Sequence, residues 1–189
     1  MKKRIESILK DSINVKEKLL SGSINTISQI ADQIITSLKK GGKLIIFGNG
    51  GSSADAQHIA AELVGRFQKE RRALAALALT TNTSVLTALA NDYGYETVFS
   101  RQLEALADKK DVVLAISTSG KAKNVIEAVK LAKSIGIKTI AFTGQRGGEL
   151  AKLADIALIV PAKITARIQE AHITVGHILC ELIEDELTK

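Results

Sequence analysis

The chain has one cysteine, no tryptophan and only two tyrosines and four phenylalanines among its 189 residues. Cys180 has no partner within the chain, so no intrachain disulfide can form, and a reducing cytoplasm is the expected compartment. Aromatics at 3% leave few platforms for stacking bases, and no DNA- or RNA-binding motif is present. No run approaches the ~18 uninterrupted apolar residues of a membrane span. Lys2, Lys3 and Arg4 make a basic start, but Glu6, Lys10 and Asp11 follow where a signal peptide needs an apolar stretch, so export is not expected. A Walker loop is excluded because GxxxxGK[ST] does not occur. The net charge of +6 comes from bases interleaved with acids, as in Lys16-Glu17-Lys18 and Lys69-Glu70-Arg71. That pattern describes a solvated surface, so neither nucleic acid nor membrane is an expected partner.

What the chain does have is a switch of hydrophobic period. Ile5, Ile8, Leu9 and Ile13, then Ile24, Ile27, Ile30, Ile34 and Leu38, recur at helical spacing and predict two helices broken near Ser21-Gly22-Ser23. The run Lys43–Gly48 is short, apolar and bounded by glycines, as a buried parallel strand is. Strands are also expected near Leu77–Leu79, Asp111–Ile116, Lys138–Phe142 and Ile156–Val160, with helices between them. One of those helices runs from about Ser53 to Phe67, and a long one closes the chain from Ile164 to Leu187. Strands alternating with helices imply right-handed crossovers and a parallel sheet covered on both faces. The expectation is one domain over residues 1–189: two helices in 1–40, then an α/β core in 41–189 with a three-layer α/β/α arrangement of about five parallel strands.

Ligands of such sheets bind at the carboxyl ends of the strands, which directs attention to the loops Gly48–Ser53, Thr80–Ser84, Ser117–Lys121 and Thr143–Gly148. Ser117-Thr118-Ser119-Gly120 leaves an apolar strand and enters a helix. Hydroxyls and free N–H groups at a helix N-terminus suit a phosphate, although one such hydroxyl would also serve as an ordinary cap. Gly48-Asn49-Gly50-Gly51-Ser52-Ser53 lacks the third glycine of a dinucleotide fingerprint, and the next strand ends in Thr80-Thr81 with no acid for a ribose. Its glycines let the backbone approach a small polar ligand, with the Asn49 amide beside them.

The helix that follows carries Asp55, His58, Glu62 and Arg66 on one face. His58 and Glu62, four apart, can ligate one metal or pair as acid and base; a surface ion pair from Glu62 to Arg66 is the plain alternative. The last helix opens with Arg167, Gln169, Glu170 and His172 and continues to His177, so all three histidines fall in two short segments. Gln169 and His177 would stand ~12 Å apart along a straight axis. His172 is turned away from His177 and reads as structural.

The segments GNGGSSADAQHIAAEL, LTALANDYG, STSGK and ARIQEAHITVGHIL resemble the phosphoheptose isomerases of the SIS (sugar isomerase) family, and the resemblance covers nearly the whole length. It implies the SIS fold, a homotetramer with active sites at subunit interfaces, and conversion of sedoheptulose 7-phosphate to D-glycero-D-manno-heptose 7-phosphate through an enediol. That reaction opens the route to nucleotide-activated heptose for lipopolysaccharide or other surface glycans. By the same resemblance, metal ligands fall on His58, Glu62, Gln169 and His177, with one zinc ion per subunit. Substrate contacts fall on Asn49, Gly50, Gly51, Asn91, Asp92, Ser117, Thr118 and Ser119, again with Glu62 and Gln169, and Arg66 is added from the face it shares with Glu62. Glu62 and His177 are the implied acid–base pair. One departure is Ala122, where the family's phosphate loop often carries a further serine. SIS proteins that bind the bacterial replication initiator without catalysis are the alternative; they lose parts of the acid–base set at the positions of Glu62 and His177, and this chain keeps both.

Overall fold

The computed structural model describes residues 1–188. Helices α1 (Lys2–Gly22) and α2 (Ile24–Lys39) break at Ser23, as the Ser-Gly-Ser segment suggests. There follow β1 (Leu44–Gly48), α3 (Gly51–Val64), β2 (Ala76–Ala78), α4 (Thr83–Tyr93), a 3-10 turn (Tyr95–Thr97), α5 (Ser100–Leu106), β3 (Val112–Ser117) and α6 (Lys123–Ser134). The chain ends with β4 (Lys138–Gly144), α7 (Gly148–Leu153), β5 (Ile156–Val160) and α8 (Thr165–Leu187). All strand pairs are parallel, in the order β2-β1-β3-β4-β5.

The three layers follow from the strand composition. Every residue of β1 and β3 is buried, which is why both read as unbroken apolar runs rather than as alternating ones. Successive side chains still go to opposite faces. Ile46, Leu114 and Phe142 meet α2, α3 and α8 in one core, while Ile45, Val113 and Ala115 meet α5 and α6 in the other. Each fully buried Ile, Leu or Val is worth about 1.5–3 kcal/mol, so these two central strands anchor the fold.

One polar device ties the amino end of the sheet together. At the amino ends of β1 and β3 the buried Asp111 carboxylate accepts from Lys43 N at 2.9 Å and from Asp108 N at 2.8 Å, and it pairs with Lys43 Nζ at 2.6 Å. The carboxyl ends carry the loops that lead into the following helices. There the chain leaves β1 for β2 on one side and returns to β3 on the other, which opens a crevice between the β1 and β3 loops.

Two expected boundaries need correction. The second strand is Ala76–Ala78 rather than Leu77–Leu79. Helix α3 runs over Gly51–Val64 rather than Ser53–Phe67, because Gly50 at φ +56° starts it early and Gly65 ends it, its N–H bonding the Ala61 carbonyl. Among the described residues no helix is long and apolar enough to cross a membrane.

Candidate active site

Helices α3 and α8 lie in contact along a parallel seam. Near its start the Gln169 amide covers Gly51 so closely that a Cβ there would stand 2.3 Å from Nε2. Further along, Gly176 faces Ile59, where a Cβ would fall 2.9 Å from Cδ1. The absence of side chains at Gly51 and Gly176 lets the two helices approach, and the approach brings His177 onto His58 and Glu62.

His58 Nε2 lies 3.1 Å from Glu62 Oε1 and 3.3 Å from His177 Nε2, and the two imidazoles meet edge-on at 77°. The ligand atoms of the three side chains all lie within 4.8 Å of one another. This donor set fits a divalent metal ion. Bonds of ~2.0–2.1 Å to nitrogen and oxygen place two corners of a tetrahedron ~3.3–3.4 Å apart, close to the spacings seen here. Two imidazole nitrogens 3.3 Å apart must otherwise share a proton. The cluster is open to solvent on one side, with His58 46% and Glu62 26% exposed at the side chain. Phe67 closes another side, its ring 5.6 Å from that of His177. Gln169, near the seam's start, is about 12 Å of helix rise from His177.

The loops at the strand ends are tied to one another. Asn49 and Asn124 exchange amide hydrogen bonds, both at 2.9 Å, and the Tyr95 hydroxyl donates to Asn49 Oδ1 at 3.2 Å. Asn124 also accepts from the Val125 N–H at 3.0 Å. The phosphate-like loop does not serve as a side-chain cap. The residue at the N-cap of α6 is Ala122, and no side chain caps that helix. Ser119 Oγ accepts from Lys121 N at 3.2 Å, Ser119 is exposed, Thr118 is half-buried and Ser117 is buried. Asn91 donates to Asp92 Oδ1 at 2.8 Å near the end of α4, both exposed, a few residues before Tyr95. Gly50 is exposed at the mouth of the β1 loop.

Arg66 does not share the face of Glu62, because α3 has ended two residues earlier; its Nε lies 3.7 Å from Glu70. The alternative ion pair from Glu62 to Arg66 falls with it. Asp55, one turn before His58, has a buried Oδ2 with no partner among the described residues, and burial pushes its carboxyl up to about 6 against the opposing pull of His58. His172 is fully buried with Nε2 3.0 Å from the Thr143 carbonyl, to which it must donate, and burial pushes its pKa down to about 4, so it is neutral. Sequence reasoning missed Tyr95 and Asn124. Neither carries a periodic signal: Tyr95 sits in a three-residue turn just past the LTALANDYG run, and Asn124 sits in the first turn of an otherwise ordinary amphipathic helix.

A parallel sheet with its open end at the β1 and β3 loops, and a two-histidine, one-carboxylate cluster on a flanking helix seam, place the molecule in a known class: the sequence matches the SIS domain family over residues 9–144. The phosphoheptose isomerase of Aquifex aeolicus is 55% identical over 185 residues, covering 98% of this chain and 97% of that protein. That of Thermodesulfovibrio yellowstonii is 51% identical, covering 97% and 92%. The solved phosphoheptose isomerase structure from Neisseria gonorrhoeae superposes with a TM-score of 0.92 at 44% identity, covering 97% of this chain and 98% of that one. The Francisella tularensis structure gives 0.94 at 37%, covering 97% of each. The chain belongs to the phosphoheptose isomerases of the SIS-domain family.

Proposed function

We propose that the chain, acting as one SIS domain over residues 1–189, converts sedoheptulose 7-phosphate to D-glycero-D-manno-heptose 7-phosphate in the cytoplasm, the first step toward activated heptose for lipopolysaccharide or related glycans. The observation that carries this reading is the His58–Glu62–His177 cluster in a chain of this family. His58, Glu62 and His177 would hold zinc, with Gln169 as a further ligand or a substrate contact. A bound divalent cation supplies polarisation of the C2 carbonyl.

The residues of the chain supply the rest. Glu62 takes a proton from C1 of the ketose, and His177 gives one to O2, leaving the neutral enediol. Return of a proton to C2 and loss of one from O1 completes the aldose, so one hydrogen has moved between carbons and one between oxygens. Glu62 faces His58 through Oε1. A carboxylate that ligates through one oxygen keeps the second for the proton. Each acid–base group contributes roughly 10²–10⁴-fold. Asn49, Gly50, Gly51, Asn91 and Asp92 would orient the sugar hydroxyls.

The phosphate would rest on Ser117, Thr118 and Ser119 and the free end of α6, with Lys121 offering charge where Ala122 replaces a hydroxyl. Ser119→Ala is expected to raise KM about tenfold with kcat within about twofold, because a hydrogen bond to an anion is worth ~1.5–3 kcal/mol and is made equally in ground and transition states. An unchanged KM would remove this loop from the phosphate site.

A homotetramer with sites at subunit interfaces is part of the proposal. It is supported by the apolar positions Ile5, Leu9 and Ile13, which α1 leaves exposed while burying only Val15 and Leu19. Purified, zinc-loaded protein is expected to turn sedoheptulose 7-phosphate into the aldose, and light scattering on the same sample to give four times the 20.2 kDa chain mass. A metal-loaded tetramer without turnover would contradict the catalytic reading and favour a binding protein, and a monomer mass would contradict the assembly.

A further inference from the structure

Glu184 lies on α8 about two turns beyond His177, with its side chain 2% exposed. Three successive backbone N–H groups point at its carboxylate: Phe67 donates to Oε1 at 3.0 Å, and Gln68 and Lys69 donate to Oε2 at 2.7 and 2.8 Å. Arg71, 3% exposed, adds Nε to Oε1 at 2.8 Å. The other side of the same guanidinium turns to α3. Nη2 donates to the Glu62 carbonyl and Nη1 to the Leu63 carbonyl, both at 2.9 Å. These carbonyls belong to the last turn of α3, that of Leu63 also accepting from the Leu74 N–H at 3.0 Å, and a cation at a helix C-terminus is favoured by the dipole.

One side chain therefore closes α3 at the peptide of Glu62 itself and is ion-paired to the helix that carries His177. Stability alone does not account for this choice, since a buried ion pair is often replaced by packed apolar residues at little cost. A guanidinium fork does what apolar packing cannot: it donates to its partners in one orientation and so fixes register. The register it fixes is that of Glu62 against His177. The same knot orders residue 67, whose ring covers the His177 imidazole.

We propose that Arg71 and Glu184 are positioning residues for the cluster, holding the Glu62 carboxylate and the His177 imidazole at the spacing that metal ligation and proton transfer require, with Phe67 as the wall against His177. The inference rests on reading His58, Glu62 and His177 as the active site.

Arg71→Lys and Glu184→Gln in the full-length protein test it by four measurements: melting temperature, zinc affinity of the metal-free protein, the His177 ring-proton NMR shift in that same state, and kcat and KM. Zinc affinity and kcat are expected to fall roughly 10- to 100-fold, as they do when groups that orient ligands are lost. KM should change less than about twofold, because the phosphate loop lies apart from this knot. The His177 shift should move as the Phe67 ring leaves it. Variants that melt earlier, yet keep parental zinc affinity, His177 shift and kcat while folded, would overturn the proposal and leave a fold staple. Should Glu184→Gln fail to fold, Arg71→Lys carries the test, since it keeps the charge beside Glu184 and loses only the fork to α3. Zinc affinity and the NMR shift need no substrate, so a parent protein inactive on sedoheptulose 7-phosphate would contradict the function proposed above without touching this result.

Discussion

Replacing Glu62 with glutamine is expected to lower kcat by roughly 10²-fold or more while sugar-phosphate binding stays near the parental value. The amide keeps the shape of the side chain and most of its hydrogen bonding but cannot take a proton. Assembly should survive, because Glu62 contributes to α3 mainly through its backbone, whose carbonyl is held by Arg71. Zinc content has to be measured on the same sample, since the substitution also removes a charged ligand. A variant that holds its metal and turns over at near-parental rate would end the case for Glu62 as base and move that role to His177.

Removal of metal is the second large effect. The two imidazole nitrogens 3.3 Å apart and the carboxylate oxygen 3.1 Å from one of them are the donors that would hold an ion. Chelated protein is expected to lose most of its activity and to regain it with zinc or a similar divalent ion. Part of the loss would come from the protein itself, because the cluster has to share protons when no cation separates the nitrogens. Full activity in a sample shown to be metal-free by elemental analysis would mean that the cluster works as an acid–base site alone.

The scaffold was legible in the sequence where burial is extreme. β1 and β3 are apolar at nearly every position because helices cover both of their faces, and the Ser-Gly-Ser break between α1 and α2 falls where its composition says. Boundaries set by long-range contacts were not legible. Beyond the stop at Gly65, the last turn of α3 is held by Arg71, eight residues past Leu63, and Arg71 is in turn held by Glu184 on the last helix; no local pattern announces either contact. Arg66 was misplaced for that reason.

Within the site, the pair His58 and Glu62 could be read from helical spacing, but the arrival of His177 beside them depends on Gly176 meeting Ile59 across a seam invisible to periodicity. Asn124 and Tyr95 escaped notice because their partner, Asn49, lies 75 and 46 positions away in the chain. Helical spacing marked an apolar face on α1 without saying what covers it; the structure buries Val15 and Leu19 and leaves Ile5, Leu9 and Ile13 exposed.

The most direct test of proton transfer at this cluster is turnover of sedoheptulose 7-phosphate in deuterated water. Glu62 is partly open to solvent, so a proton taken from C1 has the opportunity to exchange before it returns. Deuterium is expected at C2 of the aldose and at C1 of recovered ketose, and it should vanish with Glu62→Gln. Product whose C2 hydrogen derives wholly from C1, with no solvent label, would contradict the enediol route and point to a hydride shift instead.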